Sequence, residues 1–328
     1  MKNRRGLRLD VTVSILSVLM LTGITLDFKA HSEGISFEEE GFLTPEHVFF
    51  YTAFLAIAVV VGGAVIWKRR QGGAWRESVP TGYGVAVVGL LLFGAGGFGD
   101  FLWHSAFGFE EGLEALISPS HLLLATGAAL FYSAPLRSRW LRPGKARGAA
   151  AVPVVISSAL VLTIVSLFGQ FINPLVQPYA SQPTEHAMTM GVGALVTYPI
   201  LYVGFMNAVS SRFELSPGGY TVIFGVAGLA SVFVHGLFPL VVPGFAAGIA
   251  ADVATRFRLH ESRWRCRTAS AAVPVVFVVT YFGVTALYWG IATVESREIW
   301  TVHVLGGTVA LAGLAGLLLG FLVTAVRT

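Results

Sequence analysis

From Tyr83 to His104 the chain reads YGVAVVGLLLFGAGGFGDFLWH. No ionisable side chain occurs between Tyr83 and Asp100, and the run matches the ~20 residues an α-helix needs to cross a hydrocarbon core. It closes on an aspartate and a histidine four positions apart. This ending combines a helical membrane span with chemistry at one of its mouths.

Nine further segments share the apolar character. With Tyr83 to Trp103 as the third, they are Leu9 to Phe28, Pro45 to Trp67, Pro119 to Leu136, Ala149 to Phe171, Glu185 to Val209, Tyr220 to Leu240, Gly244 to Thr255, Ala269 to Val294 and Ile299 to Val326. The eighth, from Gly244, is short enough to be re-entrant. The composition agrees: 328 residues, 55% hydrophobic, 12% charged, mean hydropathy +0.72. That balance excludes a disordered chain, a coiled coil and a soluble disulfide scaffold, and Cys266 has no second cysteine to pair with. The expected fold is all-α, a polytopic transmembrane bundle of about ten spans forming one integral membrane domain over residues 1–328.

The net charge of +4 does not mark a nucleic-acid binder, because the basic residues sit in short loops between apolar runs. With the amino terminus in the cytoplasm, only Lys29 and Arg297 of the 22 Lys and Arg fall outside. The positive-inside rule therefore predicts a multi-pass protein of the cell membrane with both termini cytoplasmic. Asp27-Phe28-Lys29-Ala30 lacks a small-x-small cleavage pattern, so the first segment reads as a span. Gly94-Ala95-Gly96-Gly97-Phe98-Gly99 has no strand before it and reads as close helix packing.

The same orientation puts His31, His47, His104, His121, His186, His235 and His303 in the outer half, and only His260 inside. Two outer hairpins repeat a pattern. Asp27-Phe28-Lys29-Ala30-His31-Ser32 with Thr44-Pro45-Glu46-His47 matches Asp100-Phe101-Leu102-Trp103-His104-Ser105 with Ser118-Pro119-Ser120-His121. The offsets are 73, 73 and 74 residues, and the loops carry Phe37-Glu38-Glu39 and Phe109-Glu110-Glu111. Such a period predicts repeated helical hairpins, about 9–67 and about 80–136, related by an axis along the membrane normal. A degenerate third copy, about 149–210, keeps His186, and the remaining helices occupy 219–326.

Within one copy, Asp and His four apart share a helix face. Thr44 or Ser118 suits an N-cap and Pro45 or Pro119 the first helical position, which puts His47 or His121 at the third. There the helix dipole disfavours imidazolium, leaving the neutral ring that metal ligation requires. Each Asp lies near a helix carboxyl end, where a negative charge is unfavourable, and no Lys or Arg occurs from Val79 to Leu136. A bound cation would supply the missing charge; without one, Asp100 is expected to take up a proton or face water.

The candidate metal ligands are therefore Asp27, His31, His47, Asp100, His104 and His121, forming one or two sites that share a centre if the hairpins adjoin. His186, His235 and His303 are possible additions. The bland alternative is hydrogen-bonded interfacial clusters tying hairpins together, and for His235 a packed ring bonded to a backbone carbonyl. Asp252 and Arg256 read as an ion pair, Glu295 and Glu298 as a solvated turn, and the Trp and Phe residues as lipid-facing and interfacial. No Ser-His-Asp arrangement assembles.

Imidazole and carboxylate without thiolate suit copper, zinc, iron or manganese, and three protein ligands leave coordination positions open. Asp27-x3-His31 and Asp100-x3-His104, each with a later His, resemble the Asp-x3-His plus His copper site in the membrane subunit of the particulate methane and ammonia monooxygenases. The likeness covers those two stretches, with a longer gap before the last His. It implies an extracytoplasmic copper oxidoreductase. The hairpin pattern also resembles uncharacterised polytopic membrane proteins of bacteria and archaea, which implies no activity.

The leading expectation is thus a membrane metal-binding protein acting as a copper, iron or zinc oxidoreductase or hydrolase on a lipophilic small molecule from the lipid bilayer. The alternatives are a metal permease using the same ligands as an outer loading site, a bis-histidine haem protein using His47 with His121, and a non-catalytic assembly factor.

Overall fold

The computed structural model describes residues 2–33, 44–108, 112–143, 148–258, 263–294 and 297–325. His260, Glu295 and both Phe-Glu-Glu stretches lie outside these residues, as does the side chain of Cys266. The structure is all-α apart from an antiparallel pairing of Thr293–Val294 with Arg297–Glu298.

Each of the ten apolar segments contains a helix, though Pro119 to Leu136 is broken after Tyr132 and Ala269 to Val294 is helical only to Tyr288. The helices α1 (Lys2–Ser32), α2 (Pro45–Arg69), α4 (Gly84–Phe107) and α8 (Val152–Phe168) belong to a first compact unit, Met1–Phe168. So do the short α3 (Trp75–Ser78), α5 (Leu113–Ile117), α6 (Pro119–Tyr132) and α7 (Ala134–Leu141). The second unit, Gly169–Thr328, contains α9 (Glu185–Arg212), α10 (Gly219–His235), α11 (Val241–Arg258), α12 (Arg263–Tyr288) and α13 (Val302–Ala325).

Among the described residues, eight helical segments are long and apolar enough to cross a membrane. The eighth expected segment corrects the reading of a short or re-entrant stretch. Its helix continues to Arg258, and the span from Phe238 to Arg256 is 19 residues long. The shorter helices are instead α10, at 17 residues, and α6, at 14. Pro135 stops α6, because proline has no N–H to continue the helix ladder. The backbone N–H of Leu136 turns to Ser157 Oγ at 3.3 Å.

Outward faces are strongly apolar, with Val59 72%, Leu91 71% and Leu287 79% exposed, and such a surface is stable in lipid rather than in water. The inner faces of the first unit approach closely through glycine. A Cβ on Gly89 or Gly127 would come within 2.7 Å of the other's carbonyl oxygen, so α4 and α6 touch backbone to backbone there. Around that crossing Phe54, Phe93 and Phe131 form a buried aromatic core; these three depart from the lipid-facing reading of the phenylalanines, whereas Phe49, Phe98 and Phe245 are exposed.

At the end of α1 remote from the histidines, fully buried Asp10 accepts hydrogen bonds from Tyr83 Oη at 3.0 Å and Arg142 Nη1 at 2.9 Å. This ion pair ties the start of α1 to the residue before α4 and to the residue after α7.

In the second unit, three successive 3₁₀ turns, Gln170–Ile172, Pro174–Val176 and Tyr179–Ser181, precede α9. They are pinned by Asn173, which donates to Ser231 Oγ, and by Tyr281 Oη, which accepts from Tyr179 N–H. Trp300 is fully buried against Gly191. Asp252 does not pair with Arg256 among the described residues. Its carboxylate accepts from the N–H groups of Tyr220 and Thr221 and from the Thr221 hydroxyl, capping the start of α10. Free helix N–H groups at that terminus outcompete a solvated guanidinium on the same helix.

Candidate metal centre

The two hairpins of the first unit are built alike. Thr44 caps α2, its side chain accepting from His47 N–H at 3.2 Å, and Ser118 caps α6, accepting from His121 N–H at 3.4 Å. Proline holds the first turn in both. One turn before each aspartate sits a glycine with the same task. A Cβ on Gly23 would lie 3.1 Å from Phe50 N, and on Gly96 3.0 Å from Leu124 N. Phe50 and Leu124 both follow the capping histidine by three residues, so each glycine lets the paired helix close onto the Asp/His face.

In the second hairpin the three side chains converge. Asp100 is 2% exposed, and its Oδ1 lies 3.4 Å from His104 Nε2 and 3.2 Å from His121 Nε2. The ring centroids of the two histidines are 5.7 Å apart. One ligand atom from each residue falls within 4.8 Å of the other two, and no other group of three does so among the described residues.

The hydrogen bonds around this trio determine what it can hold. His104 Nδ1 donates to the carbonyl of Gly108 at 3.1 Å, and Gly108 N–H donates back to the His104 carbonyl at 3.0 Å. Gly108 does this with φ 80° and ψ −171°, a conformation essentially reserved for glycine. With Nδ1 carrying the proton, the neutral ring presents a lone pair at Nε2, directly facing a carboxylate oxygen. Two acceptors at this distance repel unless a proton or a cation lies between them. Asp100 Oδ1 is buried without an aligned hydrogen bond, and His104 and Ser120 are the polar side chains that favour its charged form. His121 Nδ1 is also buried without a hydrogen-bond partner, so contacts at Nε2 alone set its tautomer.

The first hairpin is arranged differently. Asp27 Oδ1 stands 3.3 Å from His47 Nε2, both residues being buried. His31 donates from Nδ1 to the Asp27 carbonyl at 2.8 Å and lies 3.7 Å from its carboxylate, with its ring centroid 6.5 Å from that of His47. The Asp27 and His47 pair is therefore tight, and His31 stands off it.

The two trios are coupled electrostatically. Asp27 is within electrostatic reach of Asp100 and His104, and His31 of His104 and His121. Tyr51, one turn beyond His47, lies within electrostatic reach of both aspartates, and its hydroxyl occupies the space a Cβ on Gly97 would need, 2.8 Å away. Lys29, the nearest basic residue along the chain, is engaged with Glu33 at 2.6 Å.

The other histidines belong to the second unit. His186 is exposed and lines a pocket of about 220 Å³ with Gln170, Gln177, Gln182 and Tyr179. His235 is exposed at the end of α10 and shares a hydrogen bond of 2.5 Å with Gln170 Oε1, which corrects the expectation of a packed ring on a backbone carbonyl. His303 is exposed in the first turn of α13. None of the three takes part in a three-residue ligand group among the described residues.

Gly108, Ser120, Tyr51 and Gly23 escaped the sequence reading, whereas Gly96 fell in the stretch read as close helix packing. Gly23 and Gly96 had a legible signal, since both precede the Asp by four. Gly108 and Tyr51 had none, because their roles depend on a backbone angle and on a contact between hairpins. No family model, no curated protein and no solved structure matches this chain.

Proposed function

We propose that this protein is an integral membrane metalloprotein that holds a divalent transition-metal ion, copper, zinc or iron, at Asp100, His104 and His121. The observation that carries the reading is the meeting of Asp100 Oδ1 with two Nε2 atoms, at 3.4 and 3.2 Å, one of them on a ring whose other nitrogen is held by the Gly108 carbonyl. An ion among them turns a repulsive set of acceptors into a ligand set. Three protein ligands leave positions for water, oxygen or substrate, the arrangement typical of catalytic rather than structural sites. The distribution of Lys and Arg supports an extracytoplasmic centre with both termini in the cytoplasm. A lipophilic small molecule entering from the bilayer is the fitting substrate class, for an oxidoreductase or hydrolase.

A permease using the same loading site needs a polar path away from it. The interior beyond Tyr51 is instead filled by Phe54, Phe93 and Phe131, which favours chemistry at the centre over conduction through this unit. Elemental analysis of tag-free protein purified from metal-replete cells tests the reading. Wild type is expected to retain stoichiometric metal and a His104→Ala, His121→Ala double variant to lose it. Equal metal in the two preparations rejects the assignment.

A further inference from the structure

The geometry points to a second metal position beside the first, held by Asp27 and His47 with His31 as its remaining ligand, so that six residues from two hairpins hold a pair of ions. This rests on the reading of the first position as a metal site.

An ion bound by Asp100, His104 and His121 uses none of the ligand atoms of the first hairpin. Asp27 would then remain nine-tenths buried, its Oδ1 without a hydrogen bond, beside the second buried carboxylate of Asp100. Two buried carboxylates within electrostatic reach are not both charged without compensation, so Asp27 either carries a proton or faces a cation that takes the proton's place. Lys29 does not serve, being committed to Glu33. His47 presents Nε2 to Asp27 Oδ1 at 3.3 Å, nearly the 3.2 Å that separates His121 from Asp100. His31 donates from Nδ1 to the Asp27 carbonyl, and the same nitrogen lies 3.7 Å from the carboxylate, so its neutral ring carries the lone pair at Nε2 and joins the position by turning about its side-chain bonds.

Proximity of the two positions follows from the cross-hairpin contacts. Tyr51 extends from the His47 helix to Gly97, one turn before Asp100, and lies within electrostatic reach of both aspartates. The position after His121 that corresponds to Tyr51 is Ala125, so only one phenol has to fit between the trios. The ions are therefore neighbours with a phenol beside them, rather than two isolated centres.

The test uses the full-length, tag-free protein in detergent, loaded with Cu(II), washed, and examined by elemental analysis and electron paramagnetic resonance. Wild type is expected to bind two coppers per chain, with an integrated spin count well below the copper count because neighbouring Cu(II) ions couple. The near-isosteric Asp27→Asn variant is expected to bind one copper with its full spin visible. His47→Gln provides a second variant with the same expectation, each checked for a monodisperse elution profile. Two coppers whose spins are all visible, or an unchanged count in both variants, overturn the paired centre. One copper in wild type, lost in His121→Ala but kept in Asp27→Asn, removes the second position and leaves the first standing. No copper in wild type removes both.

Discussion

His104 is held from both sides by Gly108: the ring donates to the Gly108 carbonyl, and the Gly108 amide donates to the His104 carbonyl. The reciprocal pair fixes which nitrogen faces Asp100. Side chains larger than hydrogen are excluded from that backbone conformation at a cost of ~1–3 kcal/mol. Gly108→Ala is expected to leave the helices intact and to weaken metal affinity about 10-fold or more, the usual effect of removing an orienting hydrogen bond from a ligand histidine. A competition titration with a chromophoric chelator measures it, with circular dichroism as the control.

Asp10, fully buried, pairs with Arg142 and accepts from Tyr83, far from the centre. Asp10→Ala removes the acceptor they share and is expected to destabilise the fold. The readout is a lowered unfolding midpoint in detergent. Metal bound per folded molecule is expected to be unchanged, since Asp10 and Asp27 are seventeen residues apart on α1, a rise of ~26 Å.

Gly23 and Gly96 test helix approach. Valine at either position forces a branched side chain against the facing backbone nitrogen and is expected to reduce both thermal stability and metal content. Gly63→Val, where nothing lies within 4 Å of the added Cβ, is the matched control and should behave as wild type. Equal losses in all three variants would argue against the close approach as the cause.

Metal removal gives a stability prediction. An ion that binds only the folded state stabilises it by ~2.7 kcal/mol at 100 times its dissociation constant. Chelation should therefore lower the unfolding midpoint of wild type and leave that of the His104→Ala, His121→Ala variant unmoved, as followed by tryptophan fluorescence. Identical shifts in both proteins would place the chelator's effect elsewhere.

The ten helices and the capped histidines at the third position of α2 and α6 were legible in the linear chain. Hydropathy, N-caps and proline position act within a few residues, so their physics is written locally. The misread residues were Asp252, His235 and the aromatic core. Asp252 takes its partners from α10, some thirty positions upstream, and His235 takes Gln170 across 65 residues. The aromatic side chains of Phe54, Phe93 and Phe131 meet only when three helices pack.

The pattern of residue types thus established a membrane bundle and the six candidate ligands, because burial of apolar runs in lipid and the face shared by positions i and i+4 need no knowledge of neighbours. Which nitrogen each histidine presents, which trio closes, and how the two trios are coupled belong to the packed structure. Those properties depend on the Gly108 backbone angle and on glycine contacts that let separate helices approach, and distances between elements far apart in the chain are set only when the bundle assembles.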